Sequence, residues 1–216
     1  MIPPPHMPAM DLALSIALGV GLAAAVGLRV FLPMLVLSVA AFTGHLPLSS
    51  GLAWLGTPAA IVMLGVAASL EILAYYIPGV DNLLDAIAAP AALIAGTLVS
   101  AAVVTDLPPI VKWTTAVIAG GGAAGLTQGL TSLLRAKSTV MTGGLGNHVL
   151  ATGEWGGALL MSLLALASPV IAVALVAIFC WFAIRLVRRL FRKETPAPSG
   201  PASSGSPPGP LANPHR

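Results

Sequence analysis

Apolar residues fill long, nearly unbroken stretches of this chain, and short segments rich in Gly, Pro and Ser separate them. An α-helix needs about 20 mostly apolar residues to cross a bilayer. Five stretches approach or exceed that length: residues 12–43, 58–77, 83–104, 111–134 and 156–186. A soluble core accounts for one such stretch, whereas five that cover most of the chain indicate a membrane protein.

The pattern predicts an all-α fold, a polytopic transmembrane helical bundle of about five spans, within a range of four to six. Gly27, Arg29 and Pro33 interrupt the first stretch, and Pro169 lies near the middle of the last one. Because proline breaks the hydrogen-bond ladder of a helix, we expect the first and last spans to be broken.

Three regions follow from this pattern: an N-terminal tail (1–10), a transmembrane helical domain (11–193) and a C-terminal tail (194–216). The C-terminal tail is rich in Pro, Ser and Gly. It has too little apolar surface to bury and is expected to be disordered.

The residue composition points to the same class of protein. Of the 216 residues, 57% are hydrophobic and only 8% are charged, whereas about a quarter are charged in a typical soluble domain. Cys180 is the only cysteine, which excludes an intramolecular disulfide and a cysteine-based metal site. The formal net charge of +3 does not indicate nucleic acid as a partner.

Half of the basic residues cluster after the last apolar stretch, at Arg185, Arg188, Arg189, Arg192 and Lys193. Lys and Arg are in excess on the cytoplasmic side of membrane proteins, so we predict a cytoplasmic C-terminus. Five crossings then make the N-terminus external, and Arg135 and Lys137 as well, against that tendency. Either the span count differs from five or one proline-broken segment is a re-entrant hairpin.

Small residues recur at every fourth position in two of the stretches. They are Ser15, Gly19, Ala23 and Gly27 in the first, and Gly121, Gly125 and Gly129 in the fourth. Such stripes let helix backbones approach closely, within the chain or across a homo-oligomer interface. The match is either an inverted repeat, whose copies run in opposite directions as in many transporters, or a chance similarity between Ala- and Gly-rich helices.

Arg29 is a charged residue near the centre of the first apolar stretch. A guanidinium at membrane depth costs at least ~2.5 kcal/mol and needs a partner, which we expect to be Glu71 in the second stretch. The pair either fixes helix packing as an internal salt bridge or handles a substrate or proton. A third alternative is that Arg29 extends towards the headgroups.

A second polar segment is Pro78-Gly79-Val80-Asp81-Asn82-Leu83-Leu84-Asp85. Pro and Gly end one helix, Asp81 or Asn82 caps the next, and Asp85 adds favourable charge to its first turn. The alternative is a site for a hard cation or polar solute. In it, Asp81 and Asp85 share one helical face and Glu71 approaches from the neighbouring helix.

The segment 135–148 is too polar and glycine-rich to be predicted as a spanning helix. We interpret it as a surface loop, or as an anion-binding loop that uses Arg135, Lys137 and backbone N–H groups. Just beyond it, Glu154 and Trp155 are expected to anchor the chain at the membrane interface.

Three segments together resemble a known family: Gly27-Leu28-Arg29-Val30-Phe31-Leu32-Pro33, the Pro78–Asp85 segment, and Thr142-Gly143-Gly144-Leu145-Gly146-Asn147. In this order and spacing they resemble the bacterial membrane family called domain of unknown function 4126, over about residues 11–192. Members often carry a lysine and a proline where this chain has Tyr76 and His148. The resemblance implies an integral membrane protein and no established activity. We predict that the protein lies in the bacterial inner membrane.

Patterns typical of enzymes do not occur in the sequence: there is no His-x-x-Glu metal motif, no Gly-x-Ser-x-Gly elbow and no pair of aspartates in two apolar spans. We therefore expect neither catalysis nor a cofactor. The preferred hypothesis is a small-solute or ion transporter or channel-like protein, with a cavity formed by Arg29, Glu71, Asp81, Asp85 and Asn147. The alternative is a non-transporting scaffold or assembly factor, whose charges hold helices together and whose glycine stripes join protomers or partners.

Overall fold

The computed structural model of the protein describes residues 9–77, 80–105, 107–143 and 145–192, and every regular element in these ranges is helical. The predicted all-α fold is therefore confirmed for the described chain. The predicted tails fall outside these ranges, except that the first helix already begins at Ala9.

The eight α-helices are α1 (Ala9–Val26), α2 (Phe31–Phe42), α3 (Pro58–Ala74), α4 (Val80–Val103), α5 (Pro109–Thr115), α6 (Gly122–Thr142), α7 (Gly146–Ala167) and α8 (Pro169–Arg192) in the described ranges. A 3-10 helix (Ser50–Gly56) precedes α3. A π-helix (Ala116–Gly121) joins α5 to α6, so that these elements form one long helical rod.

Several helices have the length and composition of membrane spans. Three of them pass both criteria: Ala86–Val103, Pro109–Thr142 and Gly146–Ala167. The 3-10 helix and α3, which meet at 68°, make a fourth if they count as one span. Shorter apolar helices occupy Leu12–Val26, Phe31–Phe42 and Pro169–Phe182. These helices indicate a multi-pass membrane protein, but the expected count of about five spans is not confirmed.

The central helix α1 packs closely against α4 through glycines. A Cβ atom added to Gly19 would lie 2.8 Å from the Ser100 hydroxyl oxygen. One turn further along α1, the Ala23 Cβ lies 3.6 Å from the corresponding position at Gly96. Residue numbers at these contacts increase along α1, from 19 to 23, and decrease along α4, from 100 to 96, so the two helices are antiparallel.

The π-helix and α6 run in the same direction as α1. Gly120 packs against Ser100, the residue that also contacts Gly19, whereas Gly27 packs against the carbonyl oxygen of Ala124. Residue numbers at these contacts therefore increase in the same direction along α1 and along the segment formed by the π-helix and α6. The copies of an inverted repeat would have to be antiparallel, so the inverted orientation considered for this stripe is wrong. Gly19, Gly27, Gly121 and Gly125 of the stripes serve close packing within the chain, whereas Gly129 does not.

The first apolar stretch is a helical hairpin and not one broken span. After α1 the chain turns at residues 27–30, and α2 runs back along the bundle. Beyond α2, the Ser49 N–H donates to the carbonyl oxygen of Ala102 (2.8 Å), near the end of α4 that lies beside the start of α1. Pro33 does not cause the break. It is the third residue of α2, where a missing N–H has no intrahelical acceptor to lose.

Pro169 also begins a new helix. Proline is pre-organised for the first position of a helix, and Ser168 before it is not helical (φ −152°, ψ 85°). A Cβ atom on Gly21 would lie 3.0 Å from the Cβ atoms of both Ala165 in α7 and Ala172 in α8. The two helices therefore form a hairpin beside α1, and the expected single broken span over 156–186 is wrong.

The direction of α7 follows from two contacts with α1. Ala165 lies beside Gly21, whereas a Cβ atom on Gly157 would lie 3.3 Å from the Leu28 side chain. α7 is thus antiparallel to α1, and α8, which runs back along α7, is parallel to α1.

The predicted loop over 135–148 is mostly helical, because α6 continues to Thr142. The Thr142 hydroxyl donates to the carbonyl oxygen of Ser138 (2.8 Å) and accepts from the N–H of Gly146 (3.0 Å), where α7 begins. Gly143 ends α6 with a positive φ of 62°, a conformation that favours glycine. The polar side chains that suggested a loop bond to helix carbonyls instead.

Arg135 and Lys137 lie at the same end of the bundle as the basic residues of α8, because α6 and α8 are both parallel to α1. The five-span arrangement placed the two groups on opposite sides of the membrane. The reversal at Pro169 instead brings the two groups to one end of the bundle, which fits the alternatives considered for the sequence, a different span count or a hairpin at a proline.

Candidate functional site

Charged side chains from three parts of the bundle meet beside the turn between α1 and α2. Arg29 lies in this turn, and its N–H donates to the carbonyl oxygen of Ala25 at the end of α1 (3.1 Å). Gly27 brings the turn against α6, where a Cβ atom would overlap the Ala124 carbonyl oxygen. Arg29 is thereby directed between α3, α6 and α7.

Glu154 of α7 is shared by two arginines. The Nη2 atom of Arg29 lies 3.2 Å from Oε2 of Glu154. Arg135 of α6 donates from Nε to Oε1 of Glu154 (3.0 Å) and from Nη2 to Oε2. Only 2% of Arg29, 3% of Arg135 and 9% of Glu154 is exposed. Charge-assisted hydrogen bonds are strong in such surroundings, so Glu154 holds both guanidinium groups in place.

Tyr75 completes the cluster from the end of α3. The guanidinium carbon of Arg29 lies 3.7 Å from the centroid of the Tyr75 ring, and that of Arg135 lies 4.3 Å from it. Both cations are attracted by the negative face of the aromatic ring. Tyr75 is itself buried. The cluster therefore contains Arg29, Tyr75, Arg135 and Glu154.

Glu71 caps the second helix and does not form the expected ion pair with Arg29. Its Oε1 accepts from the N–H of Val30 (2.9 Å), and its Oε2 accepts from the N–H of Phe31 (3.1 Å). These N–H groups belong to the free N-terminus of α2, where a carboxylate is favourable. The partner of Arg29 is Glu154, so the predicted pairing with Glu71 is wrong, although Glu71 binds the residues directly after Arg29.

The Arg29 guanidinium retains hydrogen-bonding capacity. Nη2 donates to the carbonyl oxygen of Ala151 (3.3 Å) in addition to its contact with Glu154. Nε and Nη1 have no hydrogen-bond partner among the described residues, although both atoms are buried. Guanidinium N–H groups suit the oxygen atoms of carboxylates and phosphates. Arg29 thus offers two buried donors to an acceptor that the described chain does not supply.

The sequence interpretation missed Glu154 and Arg135 as members of the site, although helical spacing carries a signal for both. On α6 the buried face contains Ala124, Thr127, Gln128, Thr131 and Arg135. On α7 it contains Asn147, Ala151, Glu154, Ala158, Ser162 and Ala165. The α7 series advances by three and four residues, and so do Ala124, Gln128, Thr131 and Arg135 of the α6 series, which is the spacing of one helix face. Glu154 is buried in the cluster and is not an interfacial anchor.

The other three predicted site residues are Asn147, Asp81 and Asp85. Asn147 is buried at the start of α7, and its Nδ2 donates to the hydroxyl of Thr139 (3.0 Å). The backbone of Asp81 and Asp85 lies in the first turns of α4, whereas their side chains lie outside the described part of the structure. The proposed cavity and cation roles of these residues stay predictions.

Comparisons with known proteins give a family without a function. Searches among curated proteins and solved structures find no significant match. The family model described as "Domain of unknown function (DUF4126)" matches residues 16–189. The match includes every member of the charged cluster and extends over most of the sequence. The chain therefore belongs to the DUF4126 family.

Proposed function

We propose that this protein is a transporter of small anions, with Arg29 as the residue that binds the transported solute. The observation that carries the proposal is the pair of buried Arg29 donors, Nε and Nη1, without a hydrogen-bond partner among the described residues. A buried donor left unsatisfied costs about 1–3 kcal/mol, and more when it belongs to a charged group. An oxyanion that accepts from these donors removes this cost.

The surroundings of Arg29 support a binding role. Glu154 and the Tyr75 ring hold the guanidinium in one orientation, which lowers the entropic cost of binding a solute. The irregular turn at 27–30 adds backbone that is not regular helix, as is common where membrane proteins line a solute path. Only 2% of Arg29 is exposed, so the described state is an occluded one in this proposal.

The proposal includes a location and an orientation. The protein lies in the inner membrane of a bacterium. The end of the bundle that carries Arg135, Lys137 and the arginines of α8 faces the cytoplasm, since basic residues are in excess on the cytoplasmic side. The role is not enzymatic. A homo-oligomer in which remaining glycine positions join protomers is part of the proposal, and no cofactor is required.

One observation favours the alternative of a non-transporting scaffold. Both carboxylate oxygens of Glu154 bond arginines, and both oxygens of Glu71 bond the backbone of α2. In a scaffold, these contacts only fix the relative positions of α2, α3, α6 and α7. Arg29 would then stabilise the fold without binding any solute.

Anion flux separates the two functions. Proteoliposomes with valinomycin swell in isosmotic potassium chloride, nitrate, acetate or phosphate only as fast as the anion enters. We expect the wild-type protein to accelerate swelling in at least one salt and Arg29→Gln to abolish this acceleration. Arg29→Lys, which keeps the charge without the planar donor array, should reduce it. Lys137→Gln is the control, because it removes an exposed charge elsewhere.

Gel filtration and thermal unfolding in detergent establish which variants are folded. Transport is contradicted if none of the four salts enters faster than in protein-free liposomes, or if a folded Arg29→Gln variant conducts like the wild type. The scaffold alternative predicts both outcomes.

A further inference from the structure

A second feature, separate from the charged cluster, is an apolar cavity between four helices. Its volume is about 510 Å³, and its walls include Ala24 of α1, Leu28 of the α1–α2 turn, Leu130 of α6, Gly157 of α7, and Phe179 and Phe182 of α8. This volume is within the ~300–1,000 Å³ of typical small-ligand pockets. A ligand bound here would contact all four helices.

The walls of the cavity exclude a polar ligand. Thr127 is the polar side chain among the wall residues, and its hydroxyl donates to the carbonyl oxygen of Ala123 in its own helix (3.0 Å). The cavity is open on the side of α8, where Ile178 is 58% and Phe182 is 64% exposed. In a membrane protein this side is reached by lipid chains, so a hydrocarbon chain matches both the lining and the opening.

Basic side chains continue the wall of the cavity along α8. Ile178, Phe182, Arg185 and Arg189 are separated by four, three and four residues, so they follow one another on one face of the helix. Both arginines are exposed. Arg188 is also exposed but lies on a different face. The order along this face, apolar and then cationic, matches the chemistry of an anionic amphiphile.

We infer that an anionic phospholipid binds here, with one acyl chain in the cavity between α1, α6, α7 and α8 and its phosphate at Arg185 and Arg189. Each arginine contributes an electrostatic attraction to an anionic headgroup. The chain in the cavity bridges α8 to the other helices, so the lipid stabilises the position of α8. This inference does not depend on anion transport.

Lipid retention measured by native mass spectrometry tests the site. The full chain is placed in nanodiscs that contain equal amounts of phosphatidylglycerol and phosphatidylcholine, and it is then released into detergent. We expect the wild type to retain one phosphatidylglycerol in preference to phosphatidylcholine. The Arg189→Gln variant should retain about fivefold less phosphatidylglycerol, because one cation near the headgroup is lost. The matched control is Arg188→Gln, with the same charge change on the adjacent residue.

A second pair of variants tests the acyl-chain part. Gly157→Leu places a side chain in the cavity and should abolish retention. Gly156→Leu adds the same side chain at a position with open space around it and should leave retention unchanged. The inference is overturned by equal retention of the two lipids, by equal losses in Arg188→Gln and Arg189→Gln, or by full retention in Gly157→Leu. It is also overturned if a second protein copy, and no lipid, is retained.

Discussion

Glu154 links two parts of the site, because its two oxygens contact guanidinium groups from two different parts of the chain. Arg29 comes from the α1–α2 turn and Arg135 from α6. Both also approach the ring of Tyr75. If Glu154 lost its charge, two buried cations of like sign would remain close together without their shared counter-charge.

The Glu154→Gln variant should therefore lower stability strongly. Breaking a buried ion pair by removing one partner costs about 3–5 kcal/mol, because the remaining charge is left buried and uncompensated. Thermal and denaturant unfolding in detergent measure the change. Lys137→Gln is the control and should stay within about 0.5 kcal/mol of the wild type, as surface substitutions usually do. A Glu154→Gln variant as stable as this control would show that the arginines do not depend on Glu154.

At this scale the sequence identified the unusual residue but not its partner. Arg29 could be predicted as a buried charge, because a lone arginine inside an apolar stretch is costly wherever it lies. The choice between Glu71 and Glu154 depends on which helices are neighbours, and one sequence does not contain that information. Glu154 also lies next to Trp155, which made the interfacial interpretation plausible.

Among the elements, glycine positions determine how closely the helices approach. Some glycines contact a neighbouring helix, whereas others have open space around them. Gly27 touches the backbone of α6, where a Cβ atom would overlap the Ala124 carbonyl oxygen and would lie 2.6 Å from the Thr127 Cβ. Gly129 lies within α6 and has no atom within 4 Å of a Cβ built on it.

Alanine at these two positions should have opposite effects. Gly27→Ala should destabilise the protein by about 1–3 kcal/mol, since overpacking forces the turn away from α6. Gly129→Ala should be neutral or should stabilise by up to ~1 kcal/mol, since alanine favours helix over glycine. Unfolding in detergent measures both variants. Equal effects at the two positions would contradict the close contact between the turn and α6.

The periodicity of apolar residues was not sufficient to predict where helices begin and where the chain reverses. The all-α class followed from apolar stretches alone, because a backbone in lipid must satisfy its own hydrogen bonds. Proline was ambiguous: Pro33 lies inside the first turn of α2 without breaking it, whereas Pro169 begins a helix that reverses the chain. Both positions permit a proline at a helix start, and only packing against α1 shows where the chain reverses.

For the whole molecule, the reversal at Pro169 changes which segments lie at the same end of the bundle. The α6–α7 turn and the arginines of α8 lie at one end of the bundle, whereas the segment before α3 lies at the other, beside the end of α4. This arrangement removes the conflict with the positive-inside tendency, since Arg135, Lys137 and the α8 arginines are then together.

Cysteine accessibility in intact cells tests this arrangement. In a Cys180→Ala background, Met141→Cys reports the α6–α7 turn, Ser50→Cys the opposite end, and Ser199→Cys the C-terminal segment. We expect a membrane-impermeant maleimide to label Ser50→Cys, and to label the other two variants only after the membrane is permeabilised. Labelling of all three after permeabilisation controls for reactivity. Met141→Cys and Ser199→Cys on opposite sides would contradict the α7–α8 hairpin, because one continuous span from α7 through α8 would separate them.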